Sequence, residues 1–114
     1  MKQEIIKFIT KTYNASPEYL WRRYPTHCIF RHHHNNKWFS FIGTVPRSIL
    51  KLSGDGDVDI INLKTNDTEF FRGVNGILPA YHMNKNHWIT VLLDGTLPAK
   101  NIQHLIEASY ELTK

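Results

Sequence analysis

Cysteine is nearly absent from this chain: Cys28 stands alone, so no internal disulfide can form and a reducing compartment is expected. Long apolar runs are missing too. None approaches the roughly 18 residues that a membrane span requires, which reads against a membrane partner. The opening stretch "MKQEIIKFITK" mixes charge with apolar residues and has no signal-peptide core. These absences lead to the expectation of a cytoplasmic protein. Several chemical signatures are missing as well. There is no HExxH, no CxxC, no GxSxG elbow and no glycine-rich phosphate loop; "SGDGD" lacks the lysine and the following helix such a loop needs. Asp55, Asp57 and Asp59 alternate as calcium ligands do, but the glutamate that completes an EF-hand is missing, so a solvated acidic turn is expected.

What is present fits one domain, spanning residues 1–114, of ordinary composition: 41% hydrophobic and 21% charged. Net charge is +4, and it is unevenly spread. Lys2, Lys7, Lys11, Arg22, Arg23, Arg31 and Lys37 face only Glu4 and Glu18 before residue 38, while the rest of the chain holds slightly more acid than base. That asymmetry points to an anionic partner, nucleic acid first.

Ile5, Phe8, Ile9 and Tyr13 follow helical spacing and predict an amphipathic helix over 2–13. Ser16 and Pro17 read as the cap and first turn of a short helix that Pro25 ends. From His27 the chain turns strand-like. "HCIFRHH" and "KWFSFIG" flank Asn35-Asn36 as a hairpin, and "VDIINLK" is a third strand. Asp67 caps a short helix ended by Gly73 and Gly76. "AYHM" and "HWITVLL" read as a second hairpin with Lys85 at its tip. A final helix has Pro98 in its first turn and Ile102, Leu105, Ile106 and Leu112 on one face. The plan is an α+β fold: a two-layer α/β sandwich with a five-stranded, mostly antiparallel sheet and flanking helices.

His32 and His34 would share a strand face, and His82 and His87 the second hairpin, but a pair is not a metal site, so no metal and no cofactor are expected. Cys28 beside His27 resembles a dyad only on paper, because adjacent strand residues point to opposite faces. A lone strand cysteine is ordinarily a small buried hydrophobe. No catalytic residue is assigned, and the expectation is a protein that is not an enzyme. Phe39 and Phe41, on one strand face, are read as core. Asn35, Asn36 and Lys37 at one hairpin tip, and Asn84, Lys85 and Asn86 at the other, are polar and partly cationic groups able to donate to phosphate.

"HMNKNHWITVLLDGTLPAKNIQHLIEASYELT", with "FRHHHNNKWFSF" and "INLKTN", resembles the MmcQ/YjbR family of small bacterial proteins across essentially the whole chain. The N-K-x-H-W-x-T-V run, the D-G-x-L-P that follows and a late S-Y carry the likeness. The resemblance implies a CyaY-like fold with a "double wing" and a DNA-binding label, and its motif maps onto Lys64, His82, Asn84, Lys85, His87 and Trp88. At "LKTND" the chain departs from the proline that many members carry near Asn66 or Asp67. The functional expectation is a non-enzymatic nucleic-acid-binding domain, DNA foremost. Its contact residues are Lys37, Lys64, His82, Asn84, Lys85, His87, Arg22, Arg23 and Arg31, and Trp88 anchors the second wing in the core. The alternatives are a metal or small-ligand carrier of frataxin-like fold, or a protein-interaction module. Iron is disfavoured because the first helix sets Lys2, Lys7 and Lys11 against Glu4 alone.

Overall fold

In the computed structural model, which describes residues 1–114, the first helix, α1, runs Lys2–Tyr13 and buries Ile5 and Ile9. It ends where Asn14 takes a left-handed φ of 50°, a conformation asparagine tolerates. The helix expected from Ser16-Pro17 does not form. Glu18 instead bridges Ile29 through two backbone hydrogen bonds of 2.9 Å. Its carboxylate also takes Arg31 Nε at 2.8 Å. Fewer than three turns fit between Pro17 and Pro25, too short for a helix to persist by itself. The segment gains more by pairing with its neighbour and stacking Trp21 edge-on against Trp38 and Phe41.

The strands are β1 (Cys28–Arg31), β2 (Trp38–Pro46), β3 (Asp57–Lys64), β4 (Ile77–Pro79) and β5 (Trp88–Leu92), in the order β1-β2-β3-β5-β4 with every pair antiparallel. A short helix, α2 (Thr68–Phe71), precedes β4, and α3 (Ala99–Thr113) closes the chain. The α+β, two-layer reading holds: α3 lies across β2 and β3 with α1 beside it. That helix-covered face holds fifteen buried residues, among them Cys28, Phe30, Phe39, Ile42, Ile61, Val91, Ile102 and Ile106. The opposite face has a smaller apolar cluster of six buried residues, Ile29, Phe41, Val45, Val58, Ile60 and Leu92, beside Trp38 of β2. The connections cover it with Trp21, Leu50, Leu52, Tyr81 and Met83. With roughly 1.5–3 kcal/mol for each large apolar side chain buried, the helix face dominates stability.

Four local expectations are corrected. Phe30 pairs with Ser40 but Arg31 with Trp38, so a bulge leaves Phe39 over. Phe39 therefore joins the helix-side core while Phe41 faces the other way. The partner of β5 lies upstream of "AYHM", in Ile77–Pro79, and residues 80–87 form a long connection. Pro98 is the residue before α3 rather than part of its first turn, and its carbonyl accepts from Asn101 N and Ile102 N. Leu112 is 37% exposed. The buried stripe of α3 continues instead through Ser109 and Thr113, which the helical repeat aligns with Ile102 and Ile106. The cap on α2 is as expected: Asp67 Oδ1 accepts from Phe70 N at 3.1 Å. Gly43 has a packing reason, since a Cβ there would meet His27 Cδ2 at 2.8 Å.

Candidate functional site

Antiparallel pairing in this strand order brings the end of β1, the start of β2, the end of β3, the end of β4 and the start of β5 to one end of the sheet. The turn 32–37, Lys64 and the loop 80–87 therefore share that end, although they are far apart in sequence. Lys37, His82, Asn84, Lys85 and His87 are exposed there, and Lys64 is half-buried opposite Trp88.

Each turn is held by its own polar groups. Asn35 Oδ1 accepts from Lys37 N at 2.9 Å and its Nδ2 donates to Thr113 O at 2.9 Å, tying the first turn to the end of α3. Asn36 adopts a φ of 61°. His32 lies under this turn, 4% exposed. Its Nε2 is 3.1 Å from Tyr110 O and 2.8 Å from Thr113 Oγ1. A carbonyl only accepts, so Nε2 carries the proton. Burial first, then the neighbouring His34, holds the His32 pKa below the ordinary histidine value.

The second loop rests on a buried polar trio. Tyr81 N donates to Thr90 Oγ1 at 2.8 Å, Thr90 Oγ1 donates to Asn62 Oδ1 at 2.6 Å, and Asn62 Nδ2 donates to Tyr81 O at 2.8 Å. His82 follows with a φ of 53°. Asn84 then closes a helical turn, its side chain accepting from Asn86 N and its carbonyl from His87 N and Trp88 N. This arrangement explains why "AYHM" is not a strand: the trio takes the Tyr81 groups that a ladder would use. Lys85 Nζ donates to Ala80 O at 2.9 Å, which leaves two of its three N–H donors.

Of the other expected contacts, Arg31 closes β1 at this same end, where it is engaged by Glu18. Arg22 and Arg23 are exposed, but on the segment that lays Trp21 across the loop-covered face. No three His, Cys, Asp or Glu side chains gather as a metal site would require. Cys28 is fully buried, and burial pushes its thiol up to about 11, so it has no nucleophilic character.

Trp88 does not anchor the core. It is half-buried and belongs to neither buried cluster, because its neighbours Ile89 and Val91 are the residues that face the helices. It lines a groove of about 400 Å³ between α2 and the edge strand β4, with Phe71, Arg72, Leu78, Pro79 and Lys85. Sequence reasoning missed this groove. The available signal was "FFR" on a helix too short to bury both aromatics; Phe70 is 68% exposed.

A model of the YjbR family matches residues 10–112. The Bacillus subtilis protein YyaQ is 41% identical over 99% of this chain and 98% of its own. The Escherichia coli K12 protein YjbR is 51% identical over 35 residues, 31% of this chain and 30% of its own. A crystal structure of a Pseudomonas syringae protein superposes with a TM-score of 0.97 at 42% identity, covering 100% of this chain and 99% of that one. A Deinococcus radiodurans structure shares the fold at a TM-score of 0.63 and 24% identity, over 86% of this chain and 67% of that one.

Proposed function

The chain belongs to the YjbR family, and we propose that it is a non-enzymatic nucleic-acid-binding domain, DNA foremost, that works in the cytoplasm. The supporting observation is the convergence of Lys37, Lys64 and Lys85 on one end of the sheet, with exposed His33, His34, His82 and His87 around them. Asp67 is close to Lys64 in sequence, but its carboxylate is occupied at the N-terminus of α2. The two loops act as wings: each presents one lysine from a backbone held in place by asparagines. Lysine is a point charge that neutralises phosphate without reading bases. Arg22 and Arg23 extend the cationic surface to a second side. A chain whose lone cysteine, Cys28, is buried and can form no internal disulfide suits the cytoplasmic setting.

Three lysines imply weak, sequence-tolerant binding, with log affinity falling against log salt at a slope of roughly −3 for duplex DNA. The test is a titration of duplex DNA, single-stranded DNA and RNA at two salt concentrations. Salt-dependent binding, tightest for duplex DNA, is expected. Absence of salt-dependent binding to all three would end the proposal.

A further inference from the structure

The groove between α2 and β4 is a second candidate site that shares Lys85 with the wing tips. Its walls are apolar, from Phe71, Ile77, Leu78, Pro79 and Trp88, and its only charged lining residues are two cations, Arg72 and Lys85. No carboxylate lies in the lining or pairs with either cation. Both walls are built before any ligand arrives. On one side Asp67 caps α2, and the hydrogen bonds Arg72 N to Glu69 O, Val74 N to Phe71 O and Ile77 N to Val74 O carry the chain into β4. On the other, Trp88 N bonds Asn84 O and Lys85 is held to Ala80 O. Trp88 is part-exposed and lines this space.

We propose that this groove binds a small aromatic carboxylate, its ring against Trp88, Phe71 and Pro79 and its carboxylate on Arg72 and Lys85. The size belongs to the small-molecule class of pockets. Aromatic walls favour a flat apolar body over a flexible one. A guanidinium and an ammonium with no acid between them favour a single anionic head. A peptide strand added to the free edge of β4 is the weaker fit, because that strand is three residues long and ends in Pro79, which has no N–H to donate.

Lys85 belongs to both surfaces, whereas Arg72 and Trp88 belong to the groove, and Lys37 to the wing tip. The two readings can therefore fail separately. The test is an NMR titration of the full chain with 2-naphthylacetate and its neutral isostere 2-naphthylacetamide. The carboxylate is expected to saturate one site, with shifts centred on Phe71, Gly73, Ile89 and the Trp88 indole N–H. The amide should bind about tenfold more weakly or worse, the difference a charge-assisted contact makes. Arg72→Glu, at an exposed position, should remove that preference, and Lys85→Gln should reduce it. Lys37→Ala should leave it unchanged. No saturable shift, equal affinity for acid and amide, shifts centred instead on Ile49 and Tyr81 across β4, or an acid preference untouched in Arg72→Glu would each overturn the proposal.

Discussion

Helices cover one face of the sheet and loops cover the other, and the two kinds of cover meet their polar needs in different ways. A helix satisfies its own backbone, so α1 and α3 lie on Phe30, Phe39, Ile61 and Val91 mainly through apolar contact. The polar ties come from the end of α3: Ser109 Oγ donates to Phe39 O and accepts from Lys64 N, while Tyr110 and Thr113 hold His32 and Asn35. A loop crossing a sheet must find partners for its amides and carbonyls. On the open face that need is met by the buried trio of Asn62, Thr90 and Tyr81. The loop-covered face carries fewer buried apolar residues and part-exposed aromatics such as Trp21 and Trp38. Binding residues concentrate on such loops when a rigid scaffold holds them.

Truncating an aromatic on each side gives the sharpest contrast. Phe39→Ala, 1% exposed under the helices, should lose about 3–5 kcal/mol in chemical denaturation. Trp88→Ala should lose less than Phe39→Ala, since Trp88 is part-exposed and outside both cores. Equal losses would erase the distinction between the faces.

The polar trio sets the next effect. Thr90→Val keeps the shape but leaves Asn62 Oδ1 and Tyr81 N without their partner, a loss of about 1–3 kcal/mol. Amide exchange in residues 80–83 should accelerate with it. Unchanged exchange there would mean the loop is held by something else.

A smaller effect comes from His32 beneath the helix end. Its folded pKa lies below the unfolded value of 6.5, through burial and then His34, so the unfolded chain binds more protons in that window. Its stabilising contribution is complete above about pH 6.5 and is lost as pH falls through the lowered folded value. Lys114 reinforces the shift, while the Tyr110 carbonyl and Glu111 oppose it. His32→Gln should lose less stability between pH 7 and 5 than the wild type does. An identical pH profile would remove His32 from this role.

Much of this architecture was legible in the chain. Helical spacing placed α1, turn chemistry placed Asn35-Asn36 and Asp67, and strand-like runs located β1, β2, β3 and β5. The run of elements gave a five-stranded, mostly antiparallel sheet, and the family resemblance implied a two-layer fold of the same kind, but neither gave the strand order. What escaped had local physical causes. One bulged residue, Phe39, reverses the alternation that put Phe39 and Phe41 on the same side. The three residues of β4 are too few for any period to register. Ser16-Pro17 is a sound helix start that a cross-strand bridge overrides. The same bridge couples Glu18 to Arg31, a pairing visible only once β1 is placed. Of the candidate site, the wing lysines could be named from turn chemistry. Their shared position at one sheet end needed the strand order, and the groove beside Trp88 needed the path of α2.

The most direct measurement is the salt slope of duplex DNA binding for the wild type beside the Lys37→Ala/Lys64→Ala/Lys85→Ala variant. The substitutions at the exposed Lys37 and Lys85 should each change stability by no more than about 0.5 kcal/mol, and chemical denaturation checks that Lys64→Ala, half-buried at the end of β3, leaves the fold intact. If the sheet end is the phosphate surface, the variant's slope should be shallower by nearly one unit per lysine removed. A variant that binds with the wild-type affinity and slope would contradict this account and move the contact to the Arg22 and Arg23 side.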